Sequence, residues 1–310
     1  MTSLICGSLA FDTIMLFGGR FSEALLADQL HKINVAFLVP ELRREFGGCA
    51  GNIAYNLKLL NGDPLIMATI GQDGDPYLER LDRLQISRRC VRTIESSYTA
   101  QAFITTDANS NQITAFHPGA MALSHRNKVA DAGPVKLAIV APDGRDGMLQ
   151  HAVDCVDLAI PFIFDPGQGL PMFNGAELEH FIELATYVAV NDYEAELLTE
   201  RTNLPLDQIA KRVKALIVTR GEQGAEIFTD GQRIDIPCVK ADQVVDPTGC
   251  GDAFRAGLLY GITSGMDWVT TGRLASLMGA IKIASQGGQN HAPSRQEIED
   301  RFQKAFGYRF

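Results

Sequence analysis

The sequence contains no apolar run approaching the roughly 18 residues of a membrane-spanning helix. Met1–Ala10 carries no basic segment ahead of its apolar residues, so no signal peptide is expected and the expected compartment is the cytoplasm. Positive charge is scarce: 28 Lys and Arg stand against 37 Asp and Glu, a formal charge of −9. That balance argues against a generic nucleic-acid binder, which needs a basic face. It leaves room for an anionic small molecule, because a few backbone donors bind phosphate inside an acidic protein. The six cysteines (Cys6, Cys49, Cys90, Cys155, Cys238, Cys250) form no C-x-x-C pair, and none has a histidine at zinc-ligand spacing. Reduced thiols are therefore expected rather than a disulfide or zinc framework. Internal repeats and low-complexity tracts are also missing. What remains is ordinary for a globular chain: 310 residues, 46% hydrophobic and 21% charged, enough for one large domain or two modest ones.

Short apolar runs recur along the chain: Leu4–Cys6, Leu65–Ile70, Val135–Val140, Ile160–Phe164, Tyr187–Val190 and Ala215–Thr219. Each stops at a Gly, Pro or polar residue, as buried parallel strands do. Between them, Asn52–Leu60, Gly175–Ala185, Ala195–Thr199 and a segment from near Asp252 through Leu259 carry apolar residues at helical spacing. The alternation implies an α/β domain with a parallel sheet. Two stretches break the rhythm. Phe11–Glu45 contains a candidate strand, Val35–Val39. In Val91–Phe116, the runs Tyr98–Thr106 and Gln112–Phe116 flank a polar turn and read as a β-hairpin. Strands that leave an α/β domain and return suggest a small lid over an active site. The expected division is residues 1–10, 46–90 and 117–310 for the α/β domain, and 11–45 and 91–116 for the lid.

Four loops carry chemistry. In Asp246-Pro247-Thr248-Gly249-Cys250-Gly251-Asp252, two glycines lead directly into a helical segment. Glycines bring backbone N–H groups close to a ligand, and a helix N-terminus adds free donors and a positive dipole end. That makes an anion hole for a phosphoryl group, with Asp252 beside it to accept a hydroxyl proton; the alternative is Asp252 as a helix N-cap. In Gly47-Gly48-Cys49-Ala50-Gly51-Asn52, glycines allow a polyhydroxylated ligand to approach, and Asn52 either binds it or caps the helix. Thr219-Arg220-Gly221-Glu222-Gln223-Gly224 follows a strand, where it forms either a ligand loop or a hairpin turn. Asn191-Asp192-Tyr193-Glu194 also follows a strand. There Asn191 and Glu194 either orient a hydrated Mg²⁺ or cap a helix.

Together these loops resemble the ribokinase (PfkB) family of carbohydrate and nucleoside kinases. Order and spacing both fit, from Gly7-Ser8 and Asp12 to Gly287-Gly288-Gln289. Neither G-x-x-x-x-G-K-[ST] nor a G-x-G-x-x-G after the first strand is found, which weighs against P-loop NTPases and Rossmann dehydrogenases. The resemblance implies a ribokinase-like three-layer α/β/α sandwich with a β-sheet lid, ATP as donor, Mg²⁺ as helper and, in many members, a monovalent cation such as K⁺ near the anion hole. It makes Asp252 the catalytic base and the backbone of Gly249, Cys250 and Gly251 the anion hole. Ser8, Asp12, Gly47, Gly48 and Asn52 would hold the acceptor. Asn191, Glu194, Thr219, Gly221 and Gly224 would line the nucleotide site, with Glu194 reaching Mg²⁺ through water. Pro247 stands where Thr is frequent and Cys250 where Ala is frequent. Neither removes a backbone donor, although a thiol at a helix N-terminus can carry a lowered pKa.

The acceptor is read from weaker features. The stretches Arg44–Ala54, His117–Met121 and Gly251–Gly257 resemble the bacterial adenosine-kinase branch. Phe103 and Phe116 on the lid could sandwich a purine, and Gln168 could read its edge. The expectation is transfer from ATP to the 5′-hydroxyl of adenosine. The alternatives are a ribose or fructose kinase, an inosine or cytidine kinase, and a non-catalytic sensor on the same fold. A homodimer through the lids would suit Val35, Phe37 and Leu38 if they are exposed.

Overall fold

The computed structural model describes residues 2–25, 34–109 and 111–310. The first part of the chain runs β1 (Thr2–Cys6), β2 (Ala10–Leu16), a helical turn α1 (Phe21–Ala24), β3 (Glu41–Gly47), α2 (Cys49–Leu59), β4 (Asp63–Gly71), α3 (Asp75–Arg83), β5 (Ser87–Ile94), β6 (Ala100–Thr106) and β7 (Gln112–His117). The middle part runs β8 (Leu137–Val140), α4 (Arg145–Asp157), β9 (Phe162–Phe164), α5 (Gly175–Leu184), β10 (Tyr187–Asn191), α6 (Asp192–Thr202) and α7 (Leu206–Arg212). The last part runs β11 (Ala215–Thr219), β12 (Ala225–Thr229), β13 (Gln232–Ile236), α8 (Cys250–Ser264), α9 (Trp268–Ile283) and α10 (Arg295–Phe306).

The main sheet has the order β13-β12-β11-β10-β9-β8-β1-β4-β5. From β11 through β5 its strands are parallel, while β12 and β13 close one edge as an antiparallel hairpin, so the sheet is mixed. Alternate residues of each strand enter opposite layers. Leu4 and Cys6 of β1, and Leu216 and Val218 of β11, pack with Met148, Phe181 and Leu198 of α4–α6. Ile5 and Ile217 face the other way, toward Ile53 of α2 and Phe254 and Leu258 of α8. Burial on both faces is why these strands read as unbroken apolar runs. The result is the three-layer sandwich.

Strand order reverses at β1, which leads one way to β4 and β5 and the other way to β8–β11. Open α/β sheets bind ligands beyond the carboxyl ends of their strands at such a switch point. Ser8, Asp165, Asn191 and Thr219 all lie at those ends.

A second sheet, ordered β3-β2-β6-β7, is formed where the chain leaves the sandwich. Two expectations are corrected here. Val91–Ile94 belong to β5, which pairs with β4 at the edge of the main sheet, so the excursion begins after Ile94 rather than at Val91. Val35–Val39 form no strand: Val35 and Leu38 are exposed, and Phe37 packs between Phe17 and Phe21 at ring distances of 4.8 and 5.2 Å. The rest of that stretch, residues 26–33, lies outside the described residues. Among the described residues no helix is long and apolar enough to cross a membrane.

Candidate active site

Gly249, with φ +77°, is the N-cap of α8, so Cys250, Gly251 and Asp252 form the helix's first turn. Asp252 therefore does not cap the helix. Its carboxylate instead accepts a hydrogen bond from Asn52 Nδ2, 2.8 Å away on α2. Asn52 is not a cap either, because Gly48 fills that position. Gly48 has φ +84°, and a Cβ there would stand 2.5 Å from the Ser8 carbonyl; only glycine lets the β3–α2 corner sit this close to the end of β1. Ser8 Oγ accepts the Cys49 N–H at 3.1 Å, which fixes the corner.

Burial pushes the Asp252 carboxyl up to about 7. Neighbouring Asp165 adds to the rise, while the Asn52 bond and Arg255 oppose it. Asp12, on β2, is likewise raised to about 6 by burial and by the charges of Glu45 and Asp246. Two carboxyls poised near neutrality thus stand at one glycine-lined corner, as acid–base chemistry requires.

The expected anion hole needs one revision. The Cys250 N–H donates to the Pro247 carbonyl at 3.1 Å and is spent on the turn. The other first-turn donors, Gly251 and Asp252, lie where a helix has no partners of its own for its N–H groups. The Cys250 thiol is not activated: partial burial raises its pKa to about 11, outweighing any help from the helix terminus.

At the two expected nucleotide loops the structure shows a helix cap and a hairpin turn. Asn191 and Glu194 form a reciprocal capping box on α6, and both Glu194 oxygens accept from Asn191. Thr219-to-Gly224 is the turn of the β11–β12 hairpin, closed by Arg220 N–H donating to the Gly224 carbonyl at 2.8 Å. Asn191 and Thr219 are direct neighbours on β10 and β11, so the two loops form one edge. Gly221 is exposed on that edge and Gly224 is buried under it.

The small sheet separates the two phenylalanines. Phe116 pairs with Ala102, which pairs with Asp12, whereas Phe103 pairs with Ala115 and Thr13. Cross-strand partners share a face and successive residues alternate, so Phe116 lies on the Asp12 face and Phe103 on the opposite one. They cannot sandwich one purine. Gln168 sits exposed on the turn after β9.

Several residues were missed. Gln289 Nε2 donates to Asn52 Oδ1 at 3.1 Å and to the Tyr77 hydroxyl at 2.9 Å, holding the amide that holds Asp252. Its signal was present in Gly287-Gly288-Gln289, though no role followed from it. Arg255, one turn beyond Asp252, pairs with buried Asp165 at 3.1 Å. Arg255 and Lys282 are charges at buried positions on otherwise apolar helix faces, a pattern visible in the sequence.

The chain matches the pfkB family of carbohydrate kinases over residues 19–295. It belongs to that family. It is accordingly a phosphotransferase with a hydroxyl acceptor. A nucleoside kinase of Burkholderia thailandensis, solved in complex with inosine, is 58% identical and superposes with a TM-score of 0.91, covering 99% of this chain and 100% of that one. A nucleoside kinase of Methanocaldococcus jannaschii is 31% identical over 87% of this chain and 90% of its own length. A ribokinase of Lactococcus lactis is 32% identical over 48% of each chain.

Proposed function

We propose that the chain is a purine nucleoside kinase that transfers the γ-phosphoryl group of ATP to a 5′-hydroxyl, with inosine and adenosine as acceptors. The observation that carries this is the Asn52–Asp252 pair, a carboxylate with a pKa near 7 on the first turn of a glycine-capped helix. The acceptor class is supported by the two nucleoside kinases, which match almost end to end, while the ribokinase matches over less than half. Inosine is favoured by the complex solved for the Burkholderia enzyme. Adenosine is the acceptor that the sequence motifs suggest.

In this reaction Asp12 and Asn52 hold ribose hydroxyls and set the 5′-oxygen beside Asp252. Asp252 takes the proton as that oxygen attacks the γ-phosphorus. The bond to the β-phosphate oxygen breaks, and ADP and the nucleoside 5′-phosphate result. N–H groups of Gly251 and Asp252 face the charge that grows on the transferring group. The β11–β12 turn and the Asn191–Glu194 edge receive the nucleotide, and the small sheet covers the acceptor and excludes water.

Among the described residues no cluster of three or more His, Cys, Asp or Glu could hold a metal ion. Glu194 is committed to its capping box and raised by burial, so it suits contact with the waters of a magnesium ion rather than direct ligation. When bound, magnesium supplies neutralisation of phosphate charge. Pairing of small sheets between two chains is part of the same proposal. It is supported by Leu42, Phe103 and Ile113, which are exposed together on the face of the small sheet opposite Asp12.

The test is ADP release with Mg-ATP and a panel of adenosine, inosine, cytidine, ribose and fructose. Purine nucleosides should exceed the free sugars at least tenfold in kcat/KM, about 1.4 kcal/mol of discrimination. A preference for ribose would overturn the acceptor class, and tight binding without turnover would make the chain a sensor.

A further inference from the structure

Lys282, near the end of α9, is fully buried, and no step described so far uses it. An ammonium taken out of water is costly unless its charge is matched. Here main-chain oxygens match it: Nζ donates to the carbonyl of Asp246 at 2.7 Å and to that of Ser285 at 3.0 Å. Asp246 opens the glycine loop that ends in Asp252. Ser285 opens the short segment that carries Gln289 back to Asn52. Further bonds tie the two segments together. Val245 and Asp246 donate their N–H groups to the Ile283 carbonyl at 2.9 and 3.2 Å, and Gly287 N–H donates to the Asp246 carboxylate at 2.8 Å. Burial pushes the Lys282 pKa down, while Cys250, Asp246 and Asp252 favour its charged form.

The family resemblance led to the expectation of a monovalent cation near the anion hole. Such an ion is held by carbonyl oxygens that replace its water. The Asp246 and Ser285 carbonyls converge on one point at the base of the glycine loop, and Nζ already occupies it. These residues therefore fit an ammonium on a tether, not a free potassium ion.

We propose that Lys282 is the built-in cation of this site. It is a positioning residue that clamps the Asp246 loop to the Ser285 segment, keeps the first turn of α8 aimed at the phosphoryl group, and makes turnover independent of added monovalent cations. That role presupposes the kinase activity proposed above.

The test compares wild type and Lys282→Ala in choline, sodium, potassium and ammonium chlorides at fixed ionic strength, reading kcat, nucleoside KM and melting temperature. Wild type should be indifferent to the cation. Lys282→Ala should lose roughly 100-fold in kcat with little change in KM, an effect on the transition state rather than on ground-state binding. Potassium or ammonium, but not choline, should restore part of that loss and raise the variant's melting temperature. A several-fold activation of wild type by potassium would overturn the proposal, as would a folded Lys282→Ala with unchanged kcat. If the variant does not fold, the wild-type salt series decides alone. If no acceptor is turned over, the kinase reading fails and melting still decides: potassium that stabilises wild type over choline overturns the built-in cation, and potassium that stabilises only the variant supports it.

Discussion

Asn52 Nδ2 lies 2.8 Å from Asp252 Oδ2, joining α2 to the first turn of α8 across 200 positions of sequence. The bond leaves the second carboxylate oxygen of Asp252 for another partner, and in the proposed reaction that partner is the acceptor hydroxyl. Asp252→Asn should lower kcat by at least about 100-fold, the low end of what a general base contributes. Nucleoside affinity, read by calorimetry, should change little. Full activity in this variant would remove Asp252 from the base role.

The same substitution should stabilise the fold. The Asp252 pKa is about 7 in the folded chain against an ordinary 3.8, so folding favours the protonated form. The contribution is fully present below about pH 3.8 and is lost as pH rises through 7. At pH 8 wild type bears the whole cost and the Asn variant none. A carboxyl wholly cut off from water would account for about 4 kcal/mol. Asp252 keeps some solvent access, so a gain of about 2 kcal/mol is expected at pH 8, shrinking toward pH 4. Thermal melts of both proteins across that range check it.

Activity should follow the same ionisation. kcat/KM should fall about tenfold per pH unit below 7, because only the ionised carboxylate accepts a proton. The Asn52 bond favours the charged form, so Asn52→Ala should move this acid limb to higher pH. An unmoved limb would mean that another group sets it.

Phe116 and Phe103 offer a paired test, since the pleat puts them on opposite faces of the small sheet. Phe116→Ala should reduce kcat/KM for a purine nucleoside by roughly 10-fold, within the range of lost base stacking. It should scarcely affect ribose. Phe103→Ala should leave both nearly unchanged. Equal losses for the two variants would place the purine elsewhere.

These cases show what the sequence makes legible. The buried strands were readable because both faces of the main sheet are covered, so their apolar runs are continuous. Ala215–Thr219 matches β11 residue for residue. The β12–β13 hairpin was missed because Glu226 and Arg233 interrupt its runs, and their ion pair exists only once the strands meet. The glycine loops announced themselves through composition. Whether Asn52 and Asp252 cap their helices or meet each other depends on Gly48 and Gly249 taking the N-cap positions, which is backbone geometry rather than pattern. Phe103 and Phe116 failed as a pair because strand register, fixed only on folding, decides which face each one takes.

The Asp165–Arg255 pair carries the last prediction. Arg255 Nη2 stands 3.1 Å from Asp165 Oδ1 and 3.2 Å from the Ala189 carbonyl, with both side chains buried. Arg255 is one turn beyond Asp252, and its charge opposes the rise in the Asp252 pKa. Arg255→Met would leave the Asp165 carboxylate buried without its partner, at a cost of about 3–5 kcal/mol. Asp165→Asn in the same chain removes that orphan charge and should recover much of the stability. The acid limb should move upward in Arg255→Met, where the lowering charge is lost, and move back in the double variant, where the Asp165 charge that raises the Asp252 pKa is gone as well. Urea unfolding gives the first quantity and the pH profile of kcat/KM the second. Recovery of stability in the double variant with the acid limb still displaced would mean that the Asp165 and Arg255 charges do not balance each other at Asp252.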